Sequence, residues 1–414
     1  MAAAVLPQVT ALIPLRGPGF RCLTVSAARC RFYVPPKPKE PLEIPGLERI
    51  TYADRQYYVP GLARPRFPDF ERGWNDPRYY RTPPQEQMKL YKEQTSYVFN
   101  QGCRLLGGVK QALWLTKTKL IPELPQRIQN IYDDPVYQFP DLEERVHNVI
   151  SYSCLWHSTE DQPPREVYCP KLLQGLIHLC QTQTPAFSEL RQRSMVENCR
   201  LAVSWQREST IYHVRGINGS ILSAKTLLAP VASDMEIQAT EPHTFETLYP
   251  LSPAIDLQEV KVYAEKTDSG FRAGYPFSYP HTVYLLDPCS TRARFLPDQL
   301  RAKMIMVAYG SALAKAKILF GEEAKDLPHP IVVQSIATDG QLFQFCVFQL
   351  NTLDTNSDDG IKNLVWMDSD QPLYDTALCA PKVRRKVVLV PADVSGFQPS
   401  TFRKFWAMYL HGAV

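Results

Sequence analysis

The sequence predicts an α+β fold in which an antiparallel β meander packs on a long buried helix, with additional helices and an extended N-terminal arm rich in proline and aromatic residues. Three observations predict it. Met304 to Ala314 are eleven uncharged residues between Lys303 and Lys315, so a helix through them is buried nearly all round. Three apolar runs follow, Ile331 to Ile336, Leu342 to Leu350 and Leu364 to Met367, with a Thr338-Asp339-Gly340 turn and a polar loop between them, the pattern of an antiparallel meander. From Pro35 to Pro84, eleven of the 36 prolines fall within fifty residues, which excludes helix and central strand and leaves extended, polyproline-like chain.

Four segments are expected in order: 1–32 a mitochondrial transit peptide, 33–93 the arm, 94–200 a mainly helical region, and 201–414 a mixed α+β body with a C-terminal antiparallel sheet and helices. The first 32 residues carry Arg16, Arg21, Arg29 and Arg31 and no acid, and the first carboxylate is Glu40. That composition suits mitochondrial import better than secretion, because no unbroken apolar stretch precedes a small-residue cleavage site. The arm adds Tyr52, Tyr57, Tyr58, Phe67, Phe70, Trp74, Tyr79 and Tyr80. So much aromatic surface needs a support, either the chain's own body or a partner protein or RNA.

Between Gln94 and Pro122 there is no acid, and Leu105, Val109, Ala112 and Leu113 recur at helical spacing. The expectation is an amphipathic basic helix with Lys110 and Lys117, one heptad apart, on a shared face. It is either a phosphate-contacting helix or a solvated basic face. Gly107 and Gly108 inside the pattern tell against an unbroken helix, each costing about 1 kcal/mol relative to Ala. Further helices are expected at Asp141 to Trp156, where Asp141 and Glu144 form a capping pair, and at Pro170 to Gln181 with proline at its start. Leu201 to Trp205 and Ile211 to Val214 read as short strands, Gly216 to Gly219 as a turn, and Val283 to Leu286 as a buried strand. Pro297 and Asp298 open the long helix, which Gly321 stops after Phe320. Val387 to Val390 adds a strand and Thr401 to Leu410 a terminal amphipathic helix.

Composition narrows the function. The 44% hydrophobic and 21% charged content is that of a folded globular chain. The longest uncharged run, eleven residues, is well short of the roughly 20 that a membrane helix needs. Removing the four leader arginines leaves 42 basic against 42 acidic residues. A neutral body contacts nucleic acid only through local cationic segments. Ten cysteines show no zinc or redox spacing and are expected to be reduced and buried. Asn218-Gly219-Ser220 reads as a turn rather than a glycosylation site.

Phosphate-loop, dinucleotide, zinc-protease and serine-hydrolase motifs do not occur in the sequence. The run Asp354-Thr355-Asn356-Ser357-Asp358 resembles the first half of a calcium loop, but Asp359 stands where a glycine is needed and Val365 where a bidentate glutamate is needed. It reads as a polar hairpin connection. Asp368 and Asp370 could pair as a nuclease's metal carboxylates, although two acids at a strand end are more often turn residues. His281 reads as a structural histidine, since no nucleophile motif points to it. No catalytic residue, metal site or cofactor is expected.

Three cationic segments are the candidate contacts with RNA or a partner. The arm supplies Arg64, Arg66, Arg72, Arg78 and Arg81, with Trp74, Tyr79 and Tyr80 to stack on unpaired bases. Arg104, Lys110, Lys117 and Lys119 form the second segment, and Lys382, Arg384, Arg385 and Lys386 the third.

Several strings carry a resemblance: Leu62-Ala63-Arg64-Pro65, Asp76-Pro77-Arg78-Tyr79-Tyr80-Arg81, Val109-Lys110-Gln111-Ala112-Leu113-Trp114-Leu115-Thr116-Lys117-Thr118-Lys119, Pro297-Asp298-Gln299-Leu300-Arg301-Ala302-Lys303-Met304, Phe348-Gln349-Leu350-Asn351-Thr352 and Thr401-Phe402-Arg403-Lys404. From about Pro41 to the C-terminus, the chain resembles the vertebrate family of mitochondrial large-subunit ribosomal proteins numbered thirty-seven. The resemblance implies a structural constituent of the mitochondrial large ribosomal subunit, located in the matrix and supporting mitochondrial translation. It also implies contact with the large-subunit rRNA and neighbouring ribosomal proteins, above all a paralogue, programmed cell death protein nine. Two alternatives stand beside it: a matrix RNA-processing enzyme of metal-dependent nuclease type, and a protein scaffold that touches no RNA.

Overall fold

The computed structural model describes residues 95–155, 163–261, 267–287, 294–322, 324–379, 382–384, 387–389 and 392–414, with positions 84 and 87. The leader and the arm's candidate contacts lie outside the described residues. In chain order the elements are β1 (Thr95–Phe99), α1 (Gly108–Leu115), β2 (Thr118–Pro122), α2 (Gln126–Asp133), α3 (Leu142–Leu155) and α4 (Arg165–Thr182). The strands β3 (Arg193–Val196), β4 (Arg200–Arg207), β5 (Thr210–Ile217) and β6 (Ser220–Ala224) follow, then a short α5 (Asp234–Gln238), β7 (Gln258–Lys261) and β8 (Tyr279–Leu286). The long helix α6 (Pro297–Phe320) leads into β9 (Asp326–Thr338), β10 (Leu342–Thr352) and β11 (Asn363–Pro372). Two small hairpins pair β12 (Thr376–Cys379) with β15 (Ala392–Ser395) and β13 (Lys382–Arg384) with β14 (Val387–Leu389), before α7 (Pro399–Leu410).

The expected long helix and meander are present with nearly the expected bounds. β9, β10 and β11 pair antiparallel, with Phe348 opposite Val333 on one side and Val365 on the other. They form the centre of a seven-stranded sheet ordered β2-β11-β10-β9-β8-β6-β3. Two of its pairings are parallel, β2 with β11 and β8 with β9. A parallel pair needs a crossover, and α6 is the one that joins β8 to β9. A second sheet, ordered β4-β5-β1-β7, lies on the other side of α6.

Every α6 residue from Gln299 to Ala316 except Arg301 is buried. Tyr309 shows why: its ring meets Trp205 of β4 edge-on at 5.1 Å and Phe348 of β10 at 5.8 Å, one from each sheet. The seven-stranded sheet is in turn covered on both faces. Along β9, β10 and β11, Ile331, Val333, Cys346, Phe348, Val365 and Met367 face the α6 core, while Val332, Ile336, Phe345, Val347, Leu364 and Trp366 face the second core under α3, α4 and α7. Strict alternation between two apolar layers makes these strands read as continuous apolar runs.

Three local expectations are corrected. The basic helix is only Gly108–Leu115; Lys117 and Lys119 leave it, Lys117 in the left-handed region at φ +50°. Gly108 opens that helix rather than interrupting it. A Cβ there would lie 1.5 Å from the Asp298 carboxylate, which accepts the Val109 N–H at 3.2 Å and so places an anion at the helix's positive end. Third, α4 starts at Arg165, five residues before the expected Pro170, which sits exposed inside it. Burial of Cys169, Leu172, Leu173 and Leu176 outweighs the one hydrogen bond that proline removes. The six described cysteines outside the small hairpins are free and buried.

The C-terminus is tied down through the last carbonyls of α7, which no helical partner satisfies. Gln334 donates to the Met408 carbonyl at 3.0 Å, Arg193 to those of Tyr409 and His411, and His281 Nε2 to His411 O at 2.9 Å. His411 Nδ1 donates in turn to Gln334 Oε1 at 3.3 Å. His281 is thus the structural histidine expected. Burial, with Arg193 nearby, pushes His281 well below its ordinary value, and burial with Arg127 and Arg193 pushes His411 down to about 4. Both are neutral when folded. Their contribution is complete above an unfolded-state value near 6.5 and is lost as pH falls towards 4. Equilibrium urea unfolding should show stability dropping by about 3 kcal/mol from His411 alone over that window. A flat profile from pH 7 to 4.5 would contradict the tether.

Candidate nucleic-acid interface

The oxygen-rich connection from β10 to β11 organises the largest cluster of buried cations among the described residues. Lys117 is 1% exposed, and Arg207 and Lys362 are fully buried. Lys117 Nζ donates to the carbonyls of Asp354 at 2.9 Å and Asp359 at 2.5 Å. Lys362 Nζ donates to Gly360 O at 2.6 Å and Glu241 O at 3.0 Å. Arg207 donates to Thr355 O and Trp114 O, each at 3.0 Å, and to the Asp358 carboxylate. Its guanidinium lies 4.6 Å from the Trp114 ring centre and 5.6 Å from that of Phe245, so aromatic faces replace its lost water.

The calcium-like run is therefore occupied by the protein's own cations. Carbonyl oxygens of the kind that line ion loops accept from the Lys117 ammonium group here. Burial lowers the Lys117 and Lys362 values below the usual lysine range, partly offset by Asp354 for the first and by Asp358 and Asp359 for the second. Asn356 extends the clamp: its carbonyl accepts the Glu208 N–H at 3.1 Å and its side chain the Ser209 N–H at 3.3 Å, fastening the loop to the β4–β5 turn.

The predicted cations scatter. Lys110 is exposed on α1 and pairs with Glu246 at 3.0 Å. Arg104 is half-buried beside the β1–α1 turn, where its N–H donates to the Asp256 carboxylate at 2.5 Å. Lys119 is half-buried on β2, near His243, which burial and this lysine hold below its ordinary value. Lys382 and Arg384 stand on β13. Arg385 and Lys386 lie outside the described residues, as do Arg64, Arg66, Arg72, Trp74, Arg78, Tyr79, Tyr80 and Arg81. The structure brings Lys117 together with Arg207 and Lys362, which sequence reasoning missed, and not with Lys110. The available signal was the acid-rich run itself, which needs compensating cations but does not say which.

The nuclease carboxylates are also engaged. Asp368 pairs with Lys404 at 2.5 Å, and Asp370 with Arg301 at 3.4 Å while accepting from Gln344 at 3.0 Å. Replacing Lys117 with methionine leaves two carbonyls without their donor, and chemical denaturation should report a loss of about 2–4 kcal/mol. Lys110→Ala, which removes only an exposed pair, should cost under about 0.5 kcal/mol. Equal effects would refute this division of labour.

A family model described as "Mitochondrial 28S ribosomal protein S30 (PDCD9)" matches residues 281–411, from β8 through α7. Curated relatives match far more of the chain. Large ribosomal subunit protein mL37 of Rattus norvegicus is 54% identical over 90% of this chain and 88% of its own length. The Gallus gallus protein of that name is 53% identical over 89% and 86%, and the Bos taurus protein 52% over 92% and 90%. The family model's description names a small-subunit (28S) protein, whereas the relatives that span nine-tenths of the chain carry a large-subunit name, and the fuller match decides between them. The chain belongs to the family of large ribosomal subunit protein mL37.

Proposed function

We propose that this chain is a structural constituent of the large subunit of the mitochondrial ribosome and supports translation there by holding rRNA and neighbouring proteins in place. The observation that carries the reading is identity above 50% along nine-tenths of both chains to proteins named for that subunit. The arginine-bearing, acid-free leader supports import into mitochondria. None of the helices in the described residues is long and apolar enough to cross a membrane.

The chain performs no chemistry of its own on this reading. Asp368 and Asp370, the carboxylates a nuclease would need, are each neutralised by a cation within 3.4 Å. Programmed cell death protein nine is the neighbour this reading names; residues 281–411 match the family model that bears its abbreviation, which makes the two chains relatives over that unit. RNA contact falls to the arm cations Arg64, Arg66, Arg72, Arg78 and Arg81 and to exposed groups of the body, since Lys117 is spent internally.

Sedimentation of the tagged chain through a sucrose gradient tests the reading. It should travel with large-subunit particles and stay with that subunit when EDTA separates the two. A chain that remains at the top of the gradient in both conditions removes the ribosomal role.

A further inference from the structure

The segment between β7 and β8 carries no acid from Ser269 to Leu286, yet places Phe271, Arg272, Tyr275, Phe277 and Tyr279 within nine residues. The fold turns this composition into a surface. The Phe271 and Tyr275 rings stack with centres 5.8 Å apart and planes 5° from parallel, and Phe277 follows Tyr275 at 5.9 Å with its plane tilted by 58°. Gly274, at φ +81° with open space where a Cβ would stand, makes the turn that brings Tyr275 back beside Phe271. Lys225 at the end of β6 sets its ammonium 5.5 Å from the centre of the Phe277 ring, and Tyr275 donates to Ser194 Oγ of β3 at 3.3 Å. Arg272 and Lys225 are exposed, and Tyr275 is 37% exposed.

Tyr275 is the exposed ring of the three, while Phe271 and Phe277 are half-buried. Phe271 borders the α6 core, but Tyr275 and Phe277 are in neither core cluster. An exposed ring held in place by its neighbours offers a flat face to a flat partner, and every nucleobase presents one. The exposed Arg272 and the Lys225 ammonium, which lies over the Phe277 ring, suit a phosphodiester backbone, and the carboxylate-free stretch spares it repulsion.

We propose that Phe271, Tyr275 and Phe277, flanked by Arg272 and Lys225, form a stacking platform for unpaired bases of single-stranded RNA. Stacking is tolerant of base identity, so the platform reads exposure of the strand rather than its sequence. This inference rests on the ribosomal reading given above and adds to it the surface that touches RNA.

The test places the photocrosslinker p-benzoylphenylalanine at Tyr275 of the tagged full-length chain and irradiates purified large-subunit particles. An adduct removed by ribonuclease is expected. An adduct to protein, or none in particles that contain the chain, overturns the platform and leaves the ribosomal role standing; failure of the unaltered chain to join particles defeats that role instead. In a second arm, the Arg272→Gln/Tyr275→Leu chain is compared with the unaltered chain after ultraviolet crosslinking of free protein to a single-stranded RNA oligonucleotide, and the RNA is counted on the peptide spanning residues 267–287, apart from that on the arm. About tenfold less RNA should be recovered, with the thermal midpoint unchanged. Undiminished recovery overturns the proposal.

Discussion

A helix that is apolar on every side cannot rest on a surface; it has to be enclosed. That requirement on α6 shapes the rest of the described fold. One sheet covers a single flank, so the chain supplies two: the β4-β5-β1-β7 sheet through Trp205, and the seven-stranded sheet through Phe348, with Tyr309 between them. Gly310 lets the backbone approach β4 and β5, since a Cβ there would stand 3.0 Å from Leu201 and 3.2 Å from Val214. Because the larger sheet spends one face on α6, its other face needs a second layer, which α3, α4 and α7 provide.

Charge follows the same economy of space. Enclosing so much of the chain draws cations inward, and each is met by carbonyls or rings. Lys117, Lys362 and Arg207 hold the β10–β11 loop, and Lys315 lies 3.8 Å from the Tyr279 ring centre while donating to Ser278 at 3.1 Å. Buried cations with satisfied donors make the fold specific and leave fewer for outside contacts. A ribosomal component with a formal net charge of only +4 over 414 residues then depends on small, well-placed surfaces rather than on a broad positive face.

Much of this could be read before any coordinates. The bounds of α6 follow from Pro297 at its start and Gly321 at its end, and the β9–β10 turn from Thr338-Asp339-Gly340, where Asp339 accepts the Gln341 and Leu342 N–H groups at 2.9 and 2.8 Å. Those signals are local. The parallel pairing of β2 with β11 joins residues some 245 positions apart, Thr118 with Asn363, and leaves no mark in either segment. The role of Lys117 was hidden for the same reason: heptad spacing placed it beside Lys110, but its partners at Asp354 and Asp359 are distant in sequence. The stacking of Phe271 on Tyr275 has no periodic signature in the sequence, because it follows from the turn at Gly274.

Native-state amide hydrogen exchange on the full chain tests the enclosure of α6 most directly. Amides of residues 304–316 should exchange only through global unfolding, with the same opening free energy as those of β9 and β10. Exchange of α6 through a cheaper local opening, while β9 and β10 stay protected, would show that the sheets do not depend on the helix between them.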